Sequence, residues 1–177
     1  MLQQWAKEDR QMRRKVWVGL ISVLVLMVTT SMVRAADTSP YLIGVWEDDG
    51  QTIYTDFIIM NPALVTIDVY AVFFKNNGDP IEGKCFKKSL DPNAKWYLRG
   101  ANLGLSGSGS VGTAKFVAVE QGERTYNKNL VIGGFQNRWL FQMSSSQANL
   151  NAVTLNKNTI AEIKQILNLE CSPWPSD

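Results

Sequence analysis

One stretch indicates the fold of this chain most clearly: Val65-Thr66-Ile67-Asp68-Val69-Tyr70-Ala71-Val72-Phe73-Phe74. Its odd-numbered residues are apolar and its even-numbered residues are more polar as far as Tyr70, and a period of two is typical of a β-strand with one buried face. The turn residues Asn76-Asn77-Gly78-Asp79-Pro80 follow directly. Asn and Gly tolerate positive φ and Pro cannot donate to a central ladder, so we expect a hairpin into a second strand over 81–90.

Short β-branched and aromatic runs lie on both sides of this hairpin. Upstream, the runs 41–46 and 52–60 are separated by Glu47-Asp48-Asp49-Gly50, and because Asp-Gly favours a tight turn, we expect them to pair with each other. Further strands are expected at 95–99, 113–119, 130–133, 138–143 and 150–155. Many short strands separated by turns indicate an antiparallel sandwich or barrel. We take the fold class to be mainly β, an antiparallel β-sandwich.

The C-terminal region predicts one α-helix, over about 159–169. Thr159 is followed three residues later by Glu162, which is the spacing of a capping box. The apolar residues that recur at helical spacing are Ile160, Ile163, Ile166 and Leu167. We therefore expect one side of the helix to pack on a sheet.

The two cysteines, Cys85 and Cys171, are expected to form a disulfide. Neither belongs to a Cys-x-x-Cys pair, and the chain has no His to complete a metal site. Exported domains generally oxidise paired thiols, which favours the bridge over two unpaired thiols. The bridge would hold down the tail after the helix, since Pro173 and Pro175 cannot continue that helix.

The N-terminus has the order of regions found in a secretory signal peptide. A basic stretch ending at Lys15 precedes an apolar run, and the small residues Val33 and Ala35 stand at the −3 and −1 positions of a signal peptidase site. We expect cleavage between Ala35 and Ala36, so that 1–35 is the signal and 36–177 is one domain.

A retained membrane anchor is the alternative for the same segment. The apolar run 16–33, at about 1.5 Å per residue, nearly crosses a hydrocarbon core of about 30 Å. With the anchor, the segment itself would contact the membrane. Under either reading the basic end stays inside and the domain is exported, to the periplasm or a similar extracytoplasmic compartment.

The charge distribution excludes nucleic acid as a partner. The formal charge is +2, but the N-terminal segment holds six basic and two acidic residues, +4, which leaves −2 for the rest. They are Lys7, Arg10, Arg13, Arg14, Lys15, Arg34, Glu8 and Asp9. A faintly acidic domain lacks the clustered Lys and Arg that displace counterions from phosphates.

The residue inventory also argues against catalysis. The chain has no His, which removes the usual general base and every Ser-His or Cys-His nucleophile. Glu47-Asp48-Asp49 with Asp56 offers oxygen ligands, but their spacing does not match a twelve-residue calcium loop. We expect no enzyme, no catalytic residue, no metal site and no cofactor.

Several turn motifs stand between about 52 and 120: Phe57-Ile58-Ile59-Met60-Asn61-Pro62, Leu90-Asp91-Pro92-Asn93-Ala94 and Gly109-Ser110-Val111-Gly112. With the long alternating strand and its Asn-Gly-Asp turn, they resemble exported immunoglobulin-like β-sandwich domains. More distantly, they are similar to the β-sandwich of sensory rhodopsin transducer-type proteins. Folds of this kind mostly bind or assemble, so the resemblance implies such a role here.

The candidate ligand or partner surface consists of aromatic residues and a Gly/Ser-rich loop: Trp96, Tyr97, Trp139, Ser106, Ser108 and Ser110. Aromatic rings offer flat apolar surface with a polar tip, and mobile loops often carry binding. We expect a structural or protein-interaction subunit of the cell envelope that docks through sandwich edges and loops. The alternative is a ligand-binding module for carbohydrate or a small apolar molecule.

Overall fold

The described part of the chain is mainly β. A computed structural model describes residues 40–140 and 144–174, and these belong to one compact unit, Thr38–Asp177. Two sheets and a C-terminal helix are present, as predicted. The predicted signal or anchor over 1–35 and its Ala35–Ala36 junction lie outside the described residues. Within those residues, no helix is both long and apolar enough to cross a membrane.

The first sheet has six strands in the order β10-β4-β3-β6-β1-β9. Their bounds are β1 Tyr41–Glu47, β3 Ile67–Lys75, β4 Pro80–Leu90, β6 Val111–Glu120, β9 Asn151–Ala152 and β10 Ser172–Pro173. The predicted β3–β4 hairpin is present and antiparallel. All neighbours in this sheet are antiparallel except β10, which lies parallel to β4.

The second sheet has four antiparallel strands in the order β5-β2-β7-β8. Their bounds are β2 Ile53–Met60, β5 Lys95–Leu98, β7 Gly133–Leu140 and β8 Ser144–Asn149. The predicted strand at 130–133 is instead irregular chain before β7, although Leu130 and Ile132 are buried, and the strand expected over 150–155 is reduced to β9.

The predicted hairpin between 41–46 and 52–60 is wrong. β1 and β2 lie in different sheets, and they are joined at the turn by an isolated bridge from Asp48 to Tyr54 and by hydrogen bonds from the Glu47 amide to the Thr55 hydroxyl and from the Asp49 amide to the Ile53 carbonyl. All seven residues of β1 pair with β6, which gives β1 a full ladder in the first sheet. The Asp-Gly turn therefore leads from one sheet to the other. The prediction was wrong because a local turn signal does not reveal which distant strand a segment will join.

The core lies between the two sheets. Phe57 on β2 has its ring centroid 6.0 Å from that of Phe73 on β3 and 5.1 Å from that of Phe116 on β6. Gly44 on β1 permits this approach, since a Cβ there would lie 2.9 Å from the Phe57 ring. Phe57, Phe73 and Phe116 are fully buried, so the two sheets pack face to face.

Strand β3 is buried on both faces, whereas alternation had predicted one polar face. Ile67 to Phe73 are all buried. The second face is covered by helix α2, Lys157–Leu167, whose Ile163 and Ile166 pack with Tyr70 on β3. Helix α2 thus packs on a sheet, as predicted.

The predicted capping box at Thr159 and Glu162 is wrong. Asn156 is the N-cap: its side chain accepts hydrogen bonds from the amides of Asn158 and Thr159, and the Thr159 hydroxyl accepts one from the Asn156 amide. The helix therefore begins two residues earlier than expected. Glu162 instead accepts a hydrogen bond from the Tyr41 hydroxyl at 2.7 Å and pairs with Lys115. This pair joins the helix to the first sheet.

Candidate functional site

Trp96 and Tyr97 are consecutive on β5 and point to opposite sides of the second sheet. Trp96 is 0% exposed and belongs to the core, so its predicted place on a surface is wrong. Adjacent side chains on a strand alternate between faces, so only one of this pair can face outward. Tyr97 is half-buried and lies on the outer face.

Asp56 connects Tyr97 to Trp139. The Asp56 side chain accepts hydrogen bonds from the Tyr97 hydroxyl, the Trp139 indole N–H and, at 2.7 Å, the backbone amide of Gly100. Asp56 is 1% exposed and lies on β2, between β5 and β7. Gly100 begins the short helix α1, Gly100–Leu103. A buried carboxylate with three donors therefore holds the two rings at fixed positions.

The outer side of the second sheet is rich in large apolar side chains. We call six of them the aromatic face: Tyr54, Ile58, Met60, Tyr97, Phe135 and Trp139. Strand register places all six on one side, because Tyr54 is opposite Trp139 and Ile58 is opposite both Tyr97 and Phe135. Met60 and Phe135 are each 36% exposed. The Tyr54 and Trp139 rings stack at 6.2 Å with an interplanar angle of 24°.

The hydroxyl of Tyr97 is held in its neutral form. Burial raises its pKa above the usual value, and the hydrogen bond to Asp56 raises the pKa further, while Arg99 acts in the opposite sense. Tyr97 therefore remains a hydrogen-bond donor to Asp56 throughout the physiological pH range.

Asn137 is the polar neighbour of this cluster. It lies opposite Asp56 in the β2–β7 register and is 6% exposed. In the described residues its side-chain carbonyl oxygen has no hydrogen-bond partner. A buried amide oxygen without a partner costs free energy, which marks this position as one where an added donor would be stabilising.

The Gly/Ser-rich loop is held to the turn after β1. The Asp48 side chain accepts hydrogen bonds from the amides of Leu105 and Ser106, both at 3.1 Å, and the Asp48 amide donates to the carbonyl of Ser110. Leu105 is buried. Ser106 and Ser110 are exposed and Ser108 is half-exposed. In the described chain, none of the hydrogen bonds of these serines reaches Tyr97 or Trp139, so the predicted surface separates into two places.

The acidic residues around this loop serve as acceptors for backbone amides. The carboxylate of Asp49 accepts from Gln51, Thr52 and Ile53, and these bonds, that of Ile53 foremost, lower its pKa well below the usual range. The Asp48 carboxylate likewise accepts from the amides of Leu105 and Ser106, and that of Asp56 accepts from the amide of Gly100. Among the described residues, no three acidic, Cys or His side chains are grouped as metal ligands would be.

The predicted bond between Cys85 and Cys171 is present in the structure. It joins β4 to the chain after α2, with the two Cα atoms 4.7 Å apart. The tail then continues as β10 along β4, and Trp174 packs on Phe86 and on Trp96. The disulfide thus fixes the tail to the side of the core.

Asp56, Tyr54 and Asn137 were not predicted as site residues. Strand alternation places Tyr54 and Asp56 on the same side of β2, which is a signal that the sequence carries. The partners of Asp56 lie 41, 44 and 83 residues away along the chain, so no local pattern could identify them.

A pocket of about 390 Å³ lies elsewhere, in the loop from Glu120 to Asn129. Its lining is largely polar and includes Glu123, Tyr126 and Lys128. None of the predicted surface residues lines it.

No protein-family model and no curated protein matches this chain. Among solved structures, the chain is similar to one titled "Crystal Structure of Thermotoga maritima 1070". The identity is 12%, the match covers 66% of this chain and 97% of that chain, and the TM-score is 0.48.

Proposed function

We propose that this protein is an exported, non-catalytic interaction subunit of the cell envelope that binds a protein partner through its aromatic face. The observation that carries this proposal is the fixing of Tyr97 and Trp139 by the buried carboxylate of Asp56. Rings held before binding lose little conformational entropy on binding, and Tyr and Trp are enriched among residues that dominate interface energies.

The shape of the aromatic face suits a protein better than a small molecule. Met60 and Phe135 add exposed apolar surface, and both residues lie on the outer face of a sheet. Exposed apolar patches with polar neighbours are typical of protein interaction sites, whereas small ligands usually need a concave cavity.

The proposed location outside the cytoplasm is supported by the disulfide. A bond between Cys85 and Cys171 persists where the surroundings are oxidising. The N-terminal signal or anchor over 1–35 accounts for export in the same proposal. We further propose that the two packed sheets are an immunoglobulin-like β-sandwich, a fold that commonly serves binding and assembly.

Carbohydrate binding is the second candidate function. The stacked Tyr54 and Trp139 rings favour it, because a sugar ring packs its apolar side on a flat aromatic surface.

A photo-crosslinking experiment distinguishes these functions. Phe135 is replaced by a benzoyl-phenylalanine in the full chain in its native envelope, with the same replacement at exposed Asn77 in the β3–β4 turn as the matched control. We expect a protein adduct from position 135 and none from position 77. Absence of a protein adduct at 135 in the folded protein would refute protein docking. Retention on an immobilised polysaccharide that Trp139→Ala abolishes would establish the second function.

A further inference from the structure

Two exposed cations lie beside the aromatic face, along the β5 edge of the second sheet. Lys95 is opposite Met60 in the β2–β5 register, so it lies on the same side as that face. Alternation along the extended chain places Arg99 there as well. Burial and Asp56 raise the pKa of Tyr97, and the charge of Arg99 is close enough to the Tyr97 hydroxyl to oppose them. Tyr97 therefore stands between two exposed cations.

No exposed carboxylate of the second sheet balances these cations. Its four described strands contain a single acidic residue, Asp56. Asp56 is buried, and its side chain already accepts three hydrogen bonds. Asp91, in the turn before β5, accepts a hydrogen bond from the Thr66 hydroxyl and makes no ion pair with Lys95 in the described chain. The exposed charge beside the aromatic face is therefore positive along β5.

The domain as a whole has the opposite sign. The formal charge is +2 for the chain and +4 for residues 1–35, which leaves −2 for residues 36–177. The positive β5 edge is thus a local feature that the composition of the domain does not predict. A surface of one sign attracts and orients a partner surface of the other sign and disfavours partners of its own sign. Arg99 suits a carboxylate in particular, because a planar guanidinium can bind both carboxylate oxygens.

We propose that the protein partner of the aromatic face has an acidic border, whose carboxylates bind Arg99 and Lys95 while its apolar centre covers Tyr97, Met60 and Phe135. The two cations are four residues apart in extended chain, about 13 Å at about 3.3 Å per residue, and this distance sets the spacing of the partner's carboxylates. The apolar centre supplies most of the affinity, and the charged border supplies selectivity and a faster association.

This inference rests on the function proposed for the aromatic face, and it adds the chemistry by which that face selects its partner. The crosslinking at position 135 therefore supplies the readout. The yield of protein adduct is compared in the native envelope between the parent chain and Lys95→Glu/Arg99→Glu, each with benzoyl-phenylalanine at position 135. We expect charge reversal to lower the yield at least about tenfold at about 0.1 M salt, where exposed charges still act over about 10 Å. Salt at about 1 M should lower the parent yield towards that of the variant.

Matched variants separate the effect of charge from an effect on structure. Lys157→Glu/Lys164→Glu on helix α2 changes the net charge equally at two exposed positions, and it should leave the yield within about twofold of the parent. Arg99 lies beside Tyr97, so its reversal could also move that ring. Lys95→Glu alone avoids this, because the Lys95 side chain makes no hydrogen bond or ion pair in the described chain, and it should still lower the yield. Arg99→Lys keeps the charge and should lose less than Arg99→Glu.

A charge swap completes the test. Replacing the acidic residues beside the crosslinked site of the captured protein with Lys should restore the adduct to the Lys95→Glu/Arg99→Glu variant. A parent adduct whose yield is unchanged by the reversal at Lys95 and Arg99 would overturn the acidic border and leave the function of the aromatic face standing. Absence of a protein adduct from the parent chain would overturn both.

Discussion

Replacing Asp56 with Ala should lower the free energy of unfolding by about 3 kcal/mol. The substitution leaves the Gly100 amide without its acceptor in a buried place, which costs about 1–3 kcal/mol. The Tyr97 and Trp139 donors are half-buried and can regain water, so each loses only the net value of its bond, about 1 kcal/mol. Relief from burying a carboxylate offsets part of the sum.

Urea unfolding followed by circular dichroism measures this loss. Asp56→Asn keeps one carbonyl oxygen of the same shape, so we expect it to lose only about half as much stability. Asp79→Ala is the control, because Asp79 is exposed in the β3–β4 turn and its loss should change stability by less than about 0.5 kcal/mol.

Hydrogen exchange adds a local readout that global unfolding does not give. The Gly100 amide should exchange faster in Asp56→Ala than in the control variant, because its acceptor is gone. Unchanged stability together with unchanged protection at Gly100 would refute the assignment of Asp56 as the residue that fixes the aromatic face.

Three further predictions concern stability. Replacing Cys85 and Cys171 by Ser should lower the free energy of unfolding by up to roughly 4.6 kcal/mol, the chain-entropy value for a separation of 86 residues; a loss below about 1 kcal/mol in urea would contradict it. Burial raises the pKa of Asp68, but its hydrogen bonds, that of Lys87 foremost, outweigh burial, so the native pKa lies below its usual value. The stabilisation that Asp68 provides is therefore present above about pH 4 and is lost as the pH falls through the lowered native pKa. Asp68→Asn should reduce this pH dependence of the free energy of unfolding in acid titrations. Asn61→Ala removes buried hydrogen bonds to three backbone carbonyls and should cost about 2–3 kcal/mol by thermal unfolding, and a melting temperature equal to that of the parent would contradict this.

Local patterns predicted the strands and the helix but not their neighbours. The β3–β4 hairpin follows from alternation and a turn at 76–80, and both elements are adjacent in the chain. The Asp48-Asp49-Gly50 turn carries an equally good signal, yet β1 and β2 part there because β6, more than sixty residues away, pairs with β1 throughout. Long-range pairing is decided by burial across the whole domain, which a local turn cannot express.

Burial was mispredicted for the same reason. Asp68 and Tyr70 have the polarity of a solvent-facing side, but helix α2 packs on Tyr70, and Asp68 is buried with Lys87, Ser89 and the Gly122 amide as its partners. The alternation was predicted correctly, but its polar side was wrongly expected to face solvent, because helix α2, which packs on that side, lies some ninety residues further along the chain. The prediction of the candidate surface was wrong at Trp96 for the same reason. Trp96 and Tyr97 must face opposite ways because neighbours on a strand alternate, but only the assembled sheet decides which one is inside.

Strand β5 connects the C-terminal tail to the aromatic face. Trp96 contacts the tail beside the β4 edge, and Tyr97, the next residue, belongs to the aromatic face. Trp96 and Tyr97 are neighbours in a strand of four residues, so a substitution of Trp96 that moves the strand would also move Tyr97. Phe135 lies on β7, and no ring contact in the described chain joins it to the tail; for this reason it is the position at which the aromatic face can be perturbed separately from the packing of Trp174 on Trp96.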